Sequence, residues 1–254
     1  MADISSAQSP LFMIQLWLDL RRLVELGRAL HLPVQRVDDN YITHCALREL
    51  FGDHTPGPFS VENNSGRYLR VLSYGSLPFD DLQATAQAFA GPMVYQIPDW
   101  SRVISKPMPQ TFSQGTRLGF ELRVCPVIRK SSTGKHHGVG AEVDAFLARV
   151  GEVDDPKTAI DREDVYRDWL TDQFKRSGAA LPHAIQLKRF SLERMCRRNH
   201  EKRRKVTTIK RPAATMTGDL EVTNSTEFIE LLRRGIGRHR AFGFGMLKIK
   251  RPGG

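Results

Sequence analysis

The sequence predicts an α+β fold of two tandem antiparallel sheets, each with helices on one face. Strands marked by period-2 alternation and helices marked by 3.6-residue spacing follow one another as strand, helix, strand, strand, helix, strand, and the same order then occurs a second time. Each run is the βαββαβ plan of ferredoxin-like, or RRM-like, domains. A chain of 254 residues is long enough for two such cores. Residues 11–113 are expected to form an N-terminal domain, 114–254 a C-terminal domain and 1–10 a disordered extension. No residue-level repeat relates the halves, and the plan by itself specifies no activity.

In the first run, large apolar side chains alternate across residues 11–20 as a strand that enters a helix through the Arg/Leu-rich stretch 21–30. Asp38, Asp39 and Asn40 are good capping residues for a helix ending at Phe51, with Ile42, Ala46, Leu47 and Leu50 on its apolar face; Gly52 and 56–58 stop it. Strands at 59–62 and 68–74 flank the turn-rich Asn63, Asn64, Ser65 and Gly66 and read as a hairpin. A helix over 80–90 is ended by Gly91 and Pro92, and a strand lies within 103–112.

The second run opens with a strand over 117–124, alternating Leu118, Phe120, Leu122 and Val124. A long polar loop is expected next, then an amphipathic helix over 162–176 carrying Val165, Tyr166, Trp169, Leu170 and Phe174. Strand segments at 184–192 and 205–209 flank a basic hairpin or loop, and 219–223 extends the second of them. Asn224 with Glu227 resembles a capping box for a helix over 228–234, which Gly235 ends. The last strand, 244–250, is expected to face Leu247 and Ile249 inward and Met246, Lys248 and Lys250 outward.

The composition, 40% hydrophobic and 26% charged, is that of an ordinary globular protein. No apolar run approaches the roughly 20 residues that span a bilayer, and the N-terminus has no signal-peptide pattern, so a cytoplasmic protein is expected. Cys45, Cys125 and Cys196 lie too far apart to suggest a zinc site, and His136 and His137 read as part of a solvated loop. No metal and no cofactor are expected. Charge is more telling. Between Lys188 and Arg211, 11 Lys and Arg stand against Glu193 and Glu201, which concentrates +9 of the net +10 in one segment. Such a cluster repels itself unless a polyanion neutralises it. Arg197, Arg198, Lys202, Arg203, Arg204 and Lys205 are the candidate polyanion-binding residues of this segment.

Two further patterns carry chemistry. Residues 235–245 hold four glycines, Gly235, Gly237, Gly243 and Gly245, with Arg238 and Arg240 between them. Glycine permits positive φ and close backbone approach, and the two arginines can bond phosphate oxygens. The segment lacks the Lys-Ser/Thr of a nucleotide P-loop. On the helix ending at Phe51, Tyr41, His44 and Arg48 fall within about 60° of one another, off the centre of the apolar face, and can converge on one ligand.

The glycine-rich segment, followed by Met246-Leu247, resembles the C-terminal signature of the CRISPR-repeat endoribonucleases of the CasE type. Tyr41-Ile42-Thr43-His44, followed by Leu47 and Leu50-Phe51, resembles that family's Tyr-x-x-His helix, which carries its catalytic histidine. Phe112, Gln114-Gly115, Leu118, Phe120, Leu122, Pro126 and Val127 resemble the entry into its second domain, and 218–222 matches before the last helix. The sequence departs from the pattern at Val124-Cys125, where the family usually has Ala-Asn, and in the long stretch between the first strand and the Tyr-x-x-His helix.

The resemblance implies a subunit that binds the stem-loop of a CRISPR repeat RNA, cuts at the base of the hairpin and stays with the guide RNA among the other protein subunits of a Cascade complex. RNA supplies its own nucleophile, so the protein has to move protons and stabilise a phosphorane rather than activate a metal-bound water. His44 suits the proton transfer, Tyr41 orients the nucleophile or shares the proton work, and Arg48 steadies the phosphate. Expected products are a 2′,3′-cyclic phosphate and a 5′-hydroxyl. A non-catalytic RNA-binding subunit on the same fold is the alternative. A DNA-binding regulator fits less well, because no helix-turn-helix is evident.

Overall fold

The structure, a computed structural model, describes residues 9–32, 38–64, 66–131, 133, 138–152, 159–198 and 206–252, with backbone alone at 63, 64, 196–198, 206 and 207. The expected basic residues Lys202, Arg203, Arg204 and Lys205, and His136 and His137, lie outside the described residues.

Strand β1 (Phe12–Asp19) runs directly into helix α1 (Leu20–Ala29), because Asp19 ends the strand and caps the helix, accepting from the backbone of Arg21 at 2.9 Å. Its other carboxylate oxygen accepts from Arg67 at 3.0 Å, so one buried residue ties three segments together. Helix α2 (Asp39–Phe51) follows, with Asp38 as its cap, then β2 (Phe59–Asn64), β3 (Tyr68–Gly75), α3 (Phe79–Phe89), the short α4 (Pro92–Tyr95) and β4 (Ile104–Pro107). The sheet order is β2-β3-β1-β4 with antiparallel neighbours. Ile14, Leu16 and Leu18 of β1 and Leu69 and Val71 of β3 point to the helices and form the first core. The long stretch before the Tyr-x-x-His helix thus contains a helix of its own, and Pro92 opens a short helix where a plain stop was expected.

The second half repeats the order with additions. Strand β5 (Arg117–Val124) is followed by β6 (Val127–Arg129), β7 (Glu142–Asp144), α5 (Ala145–Val150) and α6 (Arg162–Ser177). The polar loop expected here therefore holds a small β6-β7 sheet and a helix. Three-residue strands in a Lys/Ser/Gly-rich stretch are too short for alternation to show. Strands β8 (Ala180–Arg198) and β9 (Val206–Val222), helix α7 (Ser225–Arg234) and β10 (Leu247–Lys250) complete the sheet β10-β5-β9-β8.

The strand pieces expected around the basic segment are one long hairpin. Strand β5 covers β9 only as far as Ala214, so 191–198 and 206–213 project beyond the sheet as a two-stranded arm, about 25 Å long at a strand's rise per residue. Pro212 pairs with Leu192 in that arm, where no third strand needs its missing N–H. Met246 was expected to face outward but is buried. Gly245 at φ +88 turns the chain before β10 begins, so the strand's alternation does not reach back to Met246. The second core is lined by Phe120, Leu122, Tyr166, Leu170, Phe174, Phe228 and Leu232, and it also takes Leu11 and Tyr74 from the first half. No helix among the described residues is long and apolar enough to cross a membrane.

Candidate active site

Helix α2 starts where the two halves meet. Ile42, Ala46, Leu47, Leu50 and Phe51 fill the first core, and 3.6-residue spacing then turns His44 and Arg48 away from it, with Tyr41 at its edge, packed partly against that core and partly against the second half. The Tyr41 ring stacks on Phe242 of the glycine-rich segment, with centroids 5.1 Å apart and planes 17° from parallel, and lies 6.3 Å from the His44 ring. His44 and Arg48 line a cleft of about 280 Å³. One wall is the chain from Thr55 to Phe59; the other is Arg233, Arg234, Arg240 and Ala241 of the second half. Burial, helped by the Arg48 charge, holds His44 below its ordinary pKa. At neutral pH its imidazole is therefore uncharged and free to accept a proton.

The glycines act by close packing. Gly235, Gly237, Gly243 and Gly245 all have positive φ, between +68 and +88. A Cβ on Gly235 would lie 2.7 Å from the Gly245 carbonyl oxygen and 2.9 Å from Pro58 Cγ, and one on Gly243 would collide with the Asn40 side chain at the start of α2. Ile236 N donates to Gly245 O at 2.9 Å and closes the segment into a loop. The loop thus presses its backbone against the first half, beside His44. Of its arginines, Arg238 donates to Glu142 at 3.0 Å, and Arg240 donates to the Arg234 carbonyl while lining the cleft.

The residues that hold this loop carry no signal in the sequence. Arg123, at the end of β5, donates to the Phe242 and Gly243 carbonyls at 3.0 and 3.1 Å, lies over the Phe244 ring and pairs with Glu193. Glu142 of β7 receives Arg238, His239 and Arg211. Burial outweighs Glu142 and keeps His239 below its ordinary pKa, so at neutral pH this contact is a hydrogen bond from neutral histidine. These pairings cross 69 or more residues of sequence. No local spacing signals them. The arm starts from the same place, because Met195, Ile209 and Ala213 pack with Phe242 and Phe244, with Tyr41 against them. Arg197 and Arg198 end β8 two and three residues beyond Met195. Among the described residues, no group of three or more His, Cys, Asp or Glu is placed to hold a metal ion.

A tandem ferredoxin-like protein whose halves meet at a histidine and an arginine-walled cleft is the class that fold and site define. A family model described as CRISPR associated protein matches residues 11–251, and the chain belongs to that family. No curated protein matches the sequence. Among solved structures, the chain is similar to the CRISPR endoribonuclease Cse3 bound to a 19-nucleotide RNA, at 20% identity and TM-score 0.61, covering 95% of this chain and 99% of that one. Cse3 of Thermus thermophilus, bound to an RNA representing a pre-cleavage complex, matches at 19% identity and TM-score 0.57, over 94% and 98% of the two chains. A chain of a CRISPR RNA-guided surveillance complex matches at 16% identity and TM-score 0.51, over 94% and 99%. At these identities the likeness establishes the shared fold.

Proposed function

We propose that the protein is an endoribonuclease that binds the stem-loop of CRISPR repeat RNA, cuts the precursor at the base of the hairpin and remains with the guide RNA in a surveillance complex. The observation that carries this reading is a half-buried histidine, held below its ordinary pKa, in a cleft that also holds Arg48, Arg233, Arg234 and Arg240. Family membership and RNA-bound structural neighbours support the choice of substrate. The partner subunits are supported by the neighbour that belongs to a surveillance complex.

The chemistry runs through the RNA's own 2′-hydroxyl. His44 takes its proton, the 2′ oxygen forms a bond to the adjacent phosphorus, and the bond from phosphorus to the 5′ oxygen breaks. That oxygen leaves with a proton, returned by the imidazolium or by water, giving a 2′,3′-cyclic phosphate and a 5′-hydroxyl. Tyr41, fixed by Phe242, orients the nucleophile, and Arg48 with the other arginines neutralises the phosphorane. No metal-bound water enters the scheme. The basic arm grips the stem through phosphate spacing, because the deep, narrow major groove of A-form RNA hides its base edges.

Single-turnover cleavage of a repeat RNA carrying one 2′-deoxy nucleotide before the scissile phosphate tests the scheme. The substituted RNA should bind and stay whole, while the unmodified RNA should be cut in EDTA. Cleavage of the deoxy substrate, or full inhibition by EDTA, would mean that water is the nucleophile. Binding without cleavage of any repeat RNA would make the protein a non-catalytic RNA-binding subunit.

A further inference from the structure

A second concavity, about 620 Å³, lies on the far side of the glycine loop from most of the His44 cleft, between β6, α6 and the end of α7. Arg129, Arg176, Arg234, Arg238 and Arg240 line it, with Asp172 as the acidic member. Arg238 is shared with Glu142, but among the described residues no ion pair engages Arg129, Arg176 or Arg234. Guanidinium groups that outnumber the carboxylates beside them repel one another, and a bound polyanion relieves that repulsion. Arg234 and Arg240 also line the His44 cleft, so the two concavities are neighbours that share two arginines, and the second adjoins the proposed reaction centre.

From this geometry we infer that the groove is the track for the unpaired RNA strand that follows the cut. The inference rests on the proposed function, in which the scissile phosphate lies at the base of a hairpin: the stem is on one side and single strand on the other. A groove of this volume is the size of a small-molecule site. It is large enough for a few nucleotides of one strand, and the strand that leaves the base of the hairpin is the one nearest to it. The arm, projecting from β8 and β9, engages the stem; Arg129 and Arg176 engage phosphates of the departing strand, with Arg234 and Arg240 between them and the cut.

The test compares two RNAs, each blocked by a 2′-deoxy nucleotide before the scissile phosphate: the hairpin alone, and the hairpin followed by unpaired nucleotides. Wild-type protein should bind the flanked RNA more tightly. Arg129→Ala with Arg176→Ala should abolish that gain while leaving affinity for the hairpin alone unchanged, and should flatten the salt dependence for the flanked RNA by about 1.4 in log–log slope, the expectation for two lost single-strand phosphate contacts. Arg129→Lys with Arg176→Lys should keep most of the slope. If the flank adds nothing in the wild type, or the alanine variant keeps the gain, the groove is not the track. A wild-type protein that fails to bind the hairpin itself overturns the proposed function, and the track falls with it.

Discussion

The charge state of His44 is set by its two neighbours in the fold, the protein interior and Arg48. Both oppose protonation, so its pKa lies below the ordinary value and the base form predominates at neutral pH. A base-dependent rate rises with pH through that depressed pKa and then levels off. Arg48→Ala removes one of the two causes, so the pKa moves up toward the ordinary histidine value and the acid limb of the single-turnover profile shifts to higher pH. At pH 6 relative to pH 8 the variant should therefore be slower than the wild type. A limb that stays in place would mean that another group titrates. His44→Ala should lower the rate by about 100- to 10,000-fold with RNA affinity retained; cleavage at the wild-type rate would remove His44 from the chemistry. The stripe Tyr41, His44, Arg48 was legible in the sequence because helical spacing is local. Arg123, Glu142 and Arg233 were not, because each acts on a part of the chain far away in sequence.

At the scale of elements, the glycine loop connects the two halves to the site. Gly243→Ala should act in two ways: a left-handed conformation costs a non-glycine residue about 1–2 kcal/mol, and the new Cβ meets Asn40. Displacing the loop moves Phe242, on which Tyr41 stacks, so cleavage should slow more than folding stability falls. Asn40→Ala in the same chain relieves the collision and leaves the strain, so a double-mutant cycle should recover part of the rate. Simple additivity would place the glycine's role elsewhere than at this contact. The basic arm makes a different demand. Arg203 and Arg204→Ala should weaken hairpin binding and flatten its salt dependence by about 1–2 in log–log slope, and an unchanged slope would remove these residues from the interface. The arm's charge was plain in the sequence, but its continuity was not. Pro212 and the mixed charges hide the strand period, and only the end of β5 shows why a proline is tolerated there.

Across the whole molecule, the cleft exists only because two sheets are held in one arrangement, and Lys248 is central to that. Its ammonium reaches Glu62 of β2 at 2.8 Å and Glu121 of β5 at 2.7 Å, while the Tyr74 hydroxyl donates to the neighbouring Leu247 carbonyl at 2.9 Å. Alternation predicted Lys248 outward from its own core, as found, but the sequence could not show that this outward face of β10 lies against the other sheet. Burial alone would lower the Lys248 pKa; hydrogen bonds to Glu121 and Glu62 outweigh it and raise it, and in return Lys248 holds Glu121 below its ordinary value. Lys248→Met leaves two carboxylates facing each other without their cation, and for this partly exposed cluster a loss of about 1–3 kcal/mol is expected. The sign with pH follows from both shifts. Glu121 stabilises the fold above the unfolded carboxylate pKa, about 4.3, and the effect fades as pH falls through the lower folded value; Lys248 stabilises it below the unfolded lysine pKa, about 10.4, and the effect fades as pH rises through the higher folded value. The difference in melting temperature between wild type and variant should therefore be flat between those limits and shrink toward acid. Cleavage should weaken along with stability, since the variant loosens Arg233, Arg234 and Arg240 relative to His44. A variant with wild-type melting temperature at pH 7, or one equally destabilised at pH 3 and pH 7, would show that this cluster does not hold the halves together.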